Sequence, residues 1–139
     1  MPAYDSLLTL KTLGVQTGST NGTPVDLGSS VPNGGQLMQF DLMFNSFGGT
    51  TPTADIIIEE SPDQSNWRQV TQFRQITGAN DGTFAGANQN GKKMCRFGLV
   101  TQRYMRYRSA MAGTGANVGF GLYARGMDAV AREVPLMTF

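Results

Sequence analysis

Few residues in this chain can do chemistry. There is no histidine and a single cysteine, Cys95. Ser-His-Asp and Cys-His nucleophile arrangements are therefore impossible, and zinc sites built on Cys and His lack their ligands. Cys95 stands in the apolar run Met94 to Thr101, where the sequence predicts a buried structural thiol. The carboxylates gather at Glu59, Glu60 and Asp63. Neighbours on a strand point to opposite faces, so Glu59 and Glu60 cannot share one acid–base site. Asp63 follows Pro62 in a turn signal, where an aspartate accepts backbone amides more readily than it acts as a general acid. An oxygen-ligand calcium site from Glu60, Asp63 and the Ser61 or Ser65 carbonyl is conceivable, but no loop has EF-hand spacing. The expectation is a protein without catalytic residues, metal or cofactor, and not an enzyme.

Arg103, Arg106 and Arg108, interleaved with Tyr104 and Tyr107, form the densest charged and aromatic cluster. Such a cluster suits nucleic acid, carboxylates or a protein interface alike. The net charge of +1 supplies no field to gather nucleic acid or an acidic membrane. Pairing with acids of the same or a neighbouring subunit is expected instead, with Glu59 and Glu60 as candidate partners. The run Gly113 to Gly119 has the wrong spacing for a dinucleotide fingerprint and reads as a hairpin turn.

These residues need elements to hold them. A length of 139 residues fits one domain, residues 1–139. Charged residues are 15%, against roughly 25% in typical globular proteins, which reads as uncharged surface facing partners. No apolar stretch nears the roughly 20 residues of a membrane helix. Met1–Asp5 has no basic start before an apolar core, so synthesis and assembly in a cytoplasm are expected. Asn21-Gly22, Asn33-Gly34, Asp81-Gly82 and Asn90-Gly91 are tight-turn signals, joined by breaks at Gly48–Pro52, Ser61–Asp63 and Gly113–Gly115.

Short alternating runs lie between the breaks: 7–13, 23–27, 36–44, 53–60, 67–76, 94–101, 103–110 and 118–124. Phe40, Leu42 and Phe44 share one face, as do Ala54, Ile56 and Ile58, and as do Val118, Phe120, Leu122 and Ala124. Cys95, Phe97 and Leu99 lie together on one side of their run. About eight strands and a lone helical turn at Met127–Glu133, stopped by Pro135, predict an all-β fold. The form expected is a single antiparallel β-sandwich. Residues 1–13 form an N-terminal arm or edge strand, Gly78–Lys92 a long loop, and 126–139 a tail. The tail's apolar end, Pro135–Phe139, must pack on its own domain or a neighbour.

Three segments in order carry a resemblance: Thr23-Pro24-Val25-Asp26-Leu27-Gly28 before a strand opening at Gly35-Gln36-Leu37; Ile56-Ile57-Ile58-Glu59-Glu60-Ser61-Pro62-Asp63 leading to Trp67; and Arg103-Tyr104-Met105-Arg106-Tyr107 before Gly113-Thr114 and a closing strand. Over residues 23–124 this order resembles the jelly-roll cement, or decoration, proteins of tailed double-stranded-DNA bacteriophages. The resemblance implies a jelly-roll subunit on the outside of a virion capsid, made in the host cytoplasm. Such a subunit self-associates, as a homo-dimer or homo-trimer, and clamps neighbouring major capsid proteins, with no nucleic-acid or membrane partner. Contacts are expected from the arm (Tyr4, Leu7, Leu8, Leu10), the arginine strand (Arg103, Arg106, Arg108) and the tail (Leu136, Phe139). The same Glu59–Trp67 and Arg103–Arg106 segments also resemble discoidin-like carbohydrate-binding sandwiches, which implies a glycan-binding or tail-associated adhesion module. That alternative needs exposed aromatics at loop tips, whereas Trp67 is expected to cap the core and Phe84 is the only aromatic in the long loop.

Overall fold

A computed structural model describes residues 8–28, 34–77 and 93–126. Its strands are β1 (Leu8–Gln16), β2 (Thr20–Asn21), β3 (Val25–Asp26), β4 (Gln36–Ser61), β5 (Arg68–Gln72), β6 (Ile76–Thr77), β7 (Lys93–Val100) and β8 (Tyr104–Gly126). Two of them organise the fold: β4 has 26 residues and β8 has 23, where about 5–6 is usual. They pair antiparallel along nearly their whole length, from Met38 opposite Gly126 to Ser61 opposite Tyr104.

The breaks expected at Gly48–Pro52 and Gly113–Gly115 are not chain reversals. Both are bends inside these strands, and they face each other across the ladder, where its register shifts between Gly48 and Thr53. Gly49 and Gly113 have φ of +119° and +105°, angles a glycine adopts without steric cost. A Cβ on Gly113 would lie 2.7 Å from the Thr51 carbonyl oxygen, so only glycine lets the two bends nest. The same residues that make a turn can make a bulge that bends a strand without ending it, and the sequence does not distinguish them.

The bend folds the long pair into two halves. In the first, β1 and β7 flank the C-terminal part of β8 and the N-terminal part of β4; in the second, β2 and β3 flank the N-terminal part of β8, and β5 and β6 flank the C-terminal part of β4. Their inner faces share one core, with Phe40, Leu42, Phe120 and Leu122 from the first half meeting Ile56, Ile58, Phe73 and Met105 from the second. Each such side chain contributes roughly 1.5–3 kcal/mol by leaving water. Tyr107 and Phe120, from opposite ends of β8, meet edge to face with centroids 5.8 Å apart. Gly98 of β7 lies so close to Val70 of β5 that a Cβ there would sit 2.6 Å from the valine. On the other side Gln16 bonds both Ser109 and Tyr107. The sheet is thus one antiparallel assembly, nearly barrel-shaped, with no helix among the described residues.

The alternation read from the sequence places Phe40, Leu42, Ala54, Ile56, Ile58, Val118, Phe120, Leu122 and Ala124 inside, and all are buried. Three expectations need correcting. Along β7, Met94 and Val100 are buried while Cys95 is only half-buried and Phe97 and Leu99 are exposed; the face that turns inward carries Arg96 and Gly98, and Gly98 lets it close against Val70 of β5. Trp67 lies outside the core cluster and is half-buried, because its ring is held against Arg106 rather than under the sheet. The single strand expected over 67–76 is two, with Phe73 between them buried and its N–H on the Ile56 carbonyl. The helical turn expected at 127–133, the tail beyond Gly126 and the 78–92 loop lie outside the described residues.

Candidate interaction surface

The arginine strand is committed to this chain's own acids. Arg106 and Arg108 alternate with inward Met105, Tyr107 and Ser109, so both project outward. There the ladder sets Arg106 opposite Glu59, and the two guanidinium Nε atoms donate to separate oxygens of that carboxylate, each at 3.0 Å. Arg106 also stacks 4.0 Å from the centroid of the Trp67 ring. Arg103 forms a two-point pair with Asp26, at 2.8 and 2.9 Å, on the open surface. Its guanidinium, together with the Gly28 amide, holds the Asp26 carboxyl below the usual range. The sequence left open acids of the same or of a neighbouring subunit, and the fold displays pairs within the subunit.

Glu60 points the other way, as neighbouring strand positions require, and is 1% exposed. One carboxylate oxygen accepts the backbone N–H groups of Thr101 and Gln102 at 2.7 and 3.2 Å. The other accepts Arg68 Nε at 2.6 Å and the Thr101 hydroxyl at 3.1 Å. A buried carboxylate is tolerated only with such complete pairing, and here it ties the β7–β8 connection to the end of β4. Asp63 instead accepts the amides of Ser65 and Asn66, the Asn66 side chain and the Ser61 hydroxyl. Those donors, the Asn66 amide foremost, hold its carboxyl far below the ordinary value. Glu60 and Asp63 serve different donor sets and do not converge on an ion. Among the described residues no three metal-ligating side chains cluster.

The other outer face is of a different kind. Six large apolar side chains are exposed among the described residues: Leu13, Val15, Leu37, Met43, Phe97 and Leu99. All six belong to the first half of the sheet, on β1, the N-terminal part of β4, and β7. Leu37 sits directly opposite Leu99, and Phe97 opposite Gln39 one row on, so three of them form one contiguous group. Val15 pairs with Gly119 further across the same sheet. Among the described residues no ion pair covers Phe97, which is 53% exposed. An apolar group gathered on one face marks a site that another surface covers.

Protection of the β1 edge supports the same reading. The Lys11 ammonium turns in over the Phe120 ring at 4.4 Å and donates to the Gly14 and Phe120 carbonyls at 2.7 and 2.9 Å, where the β1–β8 register slips. Burial lowers its pKa. An inward charge at a bulge blunts an edge strand against indiscriminate pairing, which leaves the sheet face rather than its edge for association.

The expected contact residues fall into three groups. Tyr4, Leu7, Leu136 and Phe139 lie outside the described residues. Leu8 packs half-buried against the core and Leu10 is buried within it, so the chain from Leu8 onward is an edge strand and Leu10 has no surface to offer a partner. Arg103 and Arg108 remain open to solvent on one side, while Arg106 is largely covered. Sequence reasoning missed the Leu37–Phe97–Leu99 group. Its signal was the apolar set Cys95, Phe97 and Leu99 on one side of the run, to which Leu37 adds a fourth apolar residue across the ladder. No protein-family model matches the chain, and no curated protein matches it.

Proposed function

We propose that this chain is a structural subunit of a virus particle, a jelly-roll cement or decoration protein that binds the outside of a bacteriophage capsid as a homo-oligomer. The observation that carries the reading is the division of the outer surface. One half pairs its charges internally, and the other gathers every exposed large apolar side chain among the described residues. The motif order over residues 23–124 supplies the capsid as the partner. The bent, doubly flanked sheet is compatible with a jelly roll, in which two four-stranded layers enclose one core.

The work of such a subunit is thermodynamic. Phe97, Leu99, Leu37 and Met43 leave water when they meet a capsid surface, and each copy spanning two major capsid proteins stabilises the assembled shell by mass action. At a free concentration 100-fold above Kd this amounts to about 2.7 kcal/mol per site, repeated over the shell. The test mixes the purified chain with capsids that lack it. Co-sedimentation and a raised capsid disruption temperature are expected. The double variant Phe97→Asp, Leu99→Asp should lose both effects while melting within a few degrees of the parent, because both positions already face solvent. A parent chain that fails to bind capsids but binds cells or glycans would replace this reading with the adhesion module. Undiminished binding by the double variant would remove the apolar face from it.

A further inference from the structure

A shallow pocket of about 220 Å³ opens between the turn after β4 and the β7–β8 connection, lined by Glu60, Pro62, Asn66, Trp67, Arg68 and Gln102. We propose that it binds a single neutral sugar ring of the hexopyranose class, laid on the Trp67 indole and hydrogen-bonded by Asn66, Gln102 and Arg68. None of these residues belongs to the exposed apolar group, so the inference stands independently of capsid binding.

The aromatic wall sets the ligand type. Arg106 stacks on the Trp67 ring but does not line the pocket, so it leaves the rest of the indole to the pocket side. The indole N–H is already given to the Gln64 carbonyl at 3.1 Å. What Trp67 offers a ligand is therefore π surface, whose negative face attracts polarised C–H groups. A pyranose presents such groups on its flat faces, and the Pro62 ring adds a second apolar plate.

The polar groups fit the ligand's hydroxyls. The Asn66 amide nitrogen is fixed on Asp63 at 2.9 Å, which leaves its carbonyl oxygen as an acceptor. The Gln102 amide reaches only the Thr101 hydroxyl, at 3.5 Å, too long a contact to hold it. Arg68 commits Nε and Nη2 to Glu60 and Thr101, keeping Nη1 as a donor on a side chain that is 65% exposed. Acceptors and a donor thus stand around one aromatic plate, and hydroxyls, which both donate and accept, satisfy them together. Glu60 neutralises Arg68, so the pocket carries no net charge to prefer an anion. Its volume falls below the roughly 300–1,000 Å³ of pockets for drug-sized molecules, which limits the ligand to one ring. The Asp63 hydrogen bonds pre-set the wall that carries Asn66 and Trp67, removing part of the ordering cost of binding.

Trp67 is the only tryptophan, so its emission reports on this site alone. The full chain is titrated with glucose, galactose, mannose and N-acetylglucosamine, with sodium acetate and phosphate as anion controls, and amide shifts are followed by NMR. At least one sugar should give a saturable emission change with millimolar affinity, and shift changes confined to the Trp67 indole N–H, Asn66 and Gln102. Gln102→Ala, a half-buried connection residue whose loss leaves the core untouched, should weaken binding about tenfold, the fold-change of one hydrogen bond. Its capsid co-sedimentation should be unchanged. No saturable response to any sugar overturns the proposal, as do saturation by the anions alone, shifts centred elsewhere, or full affinity in Gln102→Ala. Failure of capsid binding leaves it standing.

Discussion

Removal of the Glu60 carboxylate should be among the most damaging single changes in this protein. In Glu60→Ala the Thr101 and Gln102 amides lose their acceptor. A buried polar group left without a partner costs about 1–3 kcal/mol, so the two together cost about 2–6 kcal/mol. Arg68 adds little, because it is 65% exposed and regains water when its partner goes. Native stability is only about 5–15 kcal/mol, so the variant should remain folded but marginal. With a urea m-value of about 1–3 kcal/mol/M, the midpoint should fall by about 2 M with little change in slope. Glu60→Gln keeps an acceptor oxygen for the two amides but sets an NH2 donor against the Arg68 Nε–H, which the exposed Arg68 relieves by turning to water, so its cost should be smaller, about 1–2 kcal/mol. Hydrogen exchange supplies the local check: Thr101 and Gln102 amides should lose protection in both variants before the β4–β8 ladder does. The reasoning is refuted if Glu60→Ala unfolds at the parent's urea concentration, or if Gln is as harmful as Ala. Either result would mean that filling this site matters more than satisfying its donors.

Other consequences can be checked with similar measurements. Asp63 titrates well below an ordinary carboxyl in the fold, so the unfolded chain takes up its proton first. Its contribution is complete above about pH 4 and is lost as pH falls toward the folded value; Asp63→Asn should be less stable than the parent at pH 7, with the gap in melting temperature closing below pH 4. A gap constant from pH 7 to 2.5 would show that its charge is irrelevant. Gly113→Ala forces a Cβ against the Thr51 carbonyl at a φ of +105° and should cost roughly 2–4 kcal/mol, whereas Gly115→Asn, at φ +63° in open space, should cost under about 1 kcal/mol. Equal thermal shifts for the pair would deny that the bend depends on Gly113. Glu59→Ala strips the acceptor from Arg106, 16% exposed, and from the more open Arg108, and should cost about 2 kcal/mol. Release of Arg106 should also change Trp67 emission, and an unaltered spectrum would show that the stack does not rest on Glu59.

How much of this was legible in the chain differs by element. The strands around Phe40, Ile56 and Phe120 could be read because polar and apolar residues alternate there, and the period-two geometry of a strand fixes which set goes inside. The Asp63 turn was legible too, since its partners lie within three residues. Glu59 and Glu60 could be separated onto opposite faces by the same period. The lack of histidine and the lone cysteine excluded Ser-His-Asp and Cys-His arrangements and Cys/His zinc sites through composition alone.

Tertiary structure decided the rest, because the deciding contacts span long separations. The glycine clusters at 48–49 and 113–115 bend paired strands rather than reverse them, and only the ladder between β4 and β8 makes that choice. The sequence offers the three arginines acids of the same or a neighbouring subunit, and the register sets Arg106 against Glu59, 47 residues away in sequence. The sequence places Trp67 as a cap on the core, but the stack on Arg106 holds it half-buried outside the core cluster. In the run from Met94 to Val100, Arg96 and Gly98 share a face with Met94 and Val100, so the pattern favoured the opposite face, Cys95, Phe97 and Leu99, as the inner one. Pairing with β4 turned Phe97 and Leu99 outward beside Leu37, which places the candidate contact surface on a face that local sequence assigns to the core.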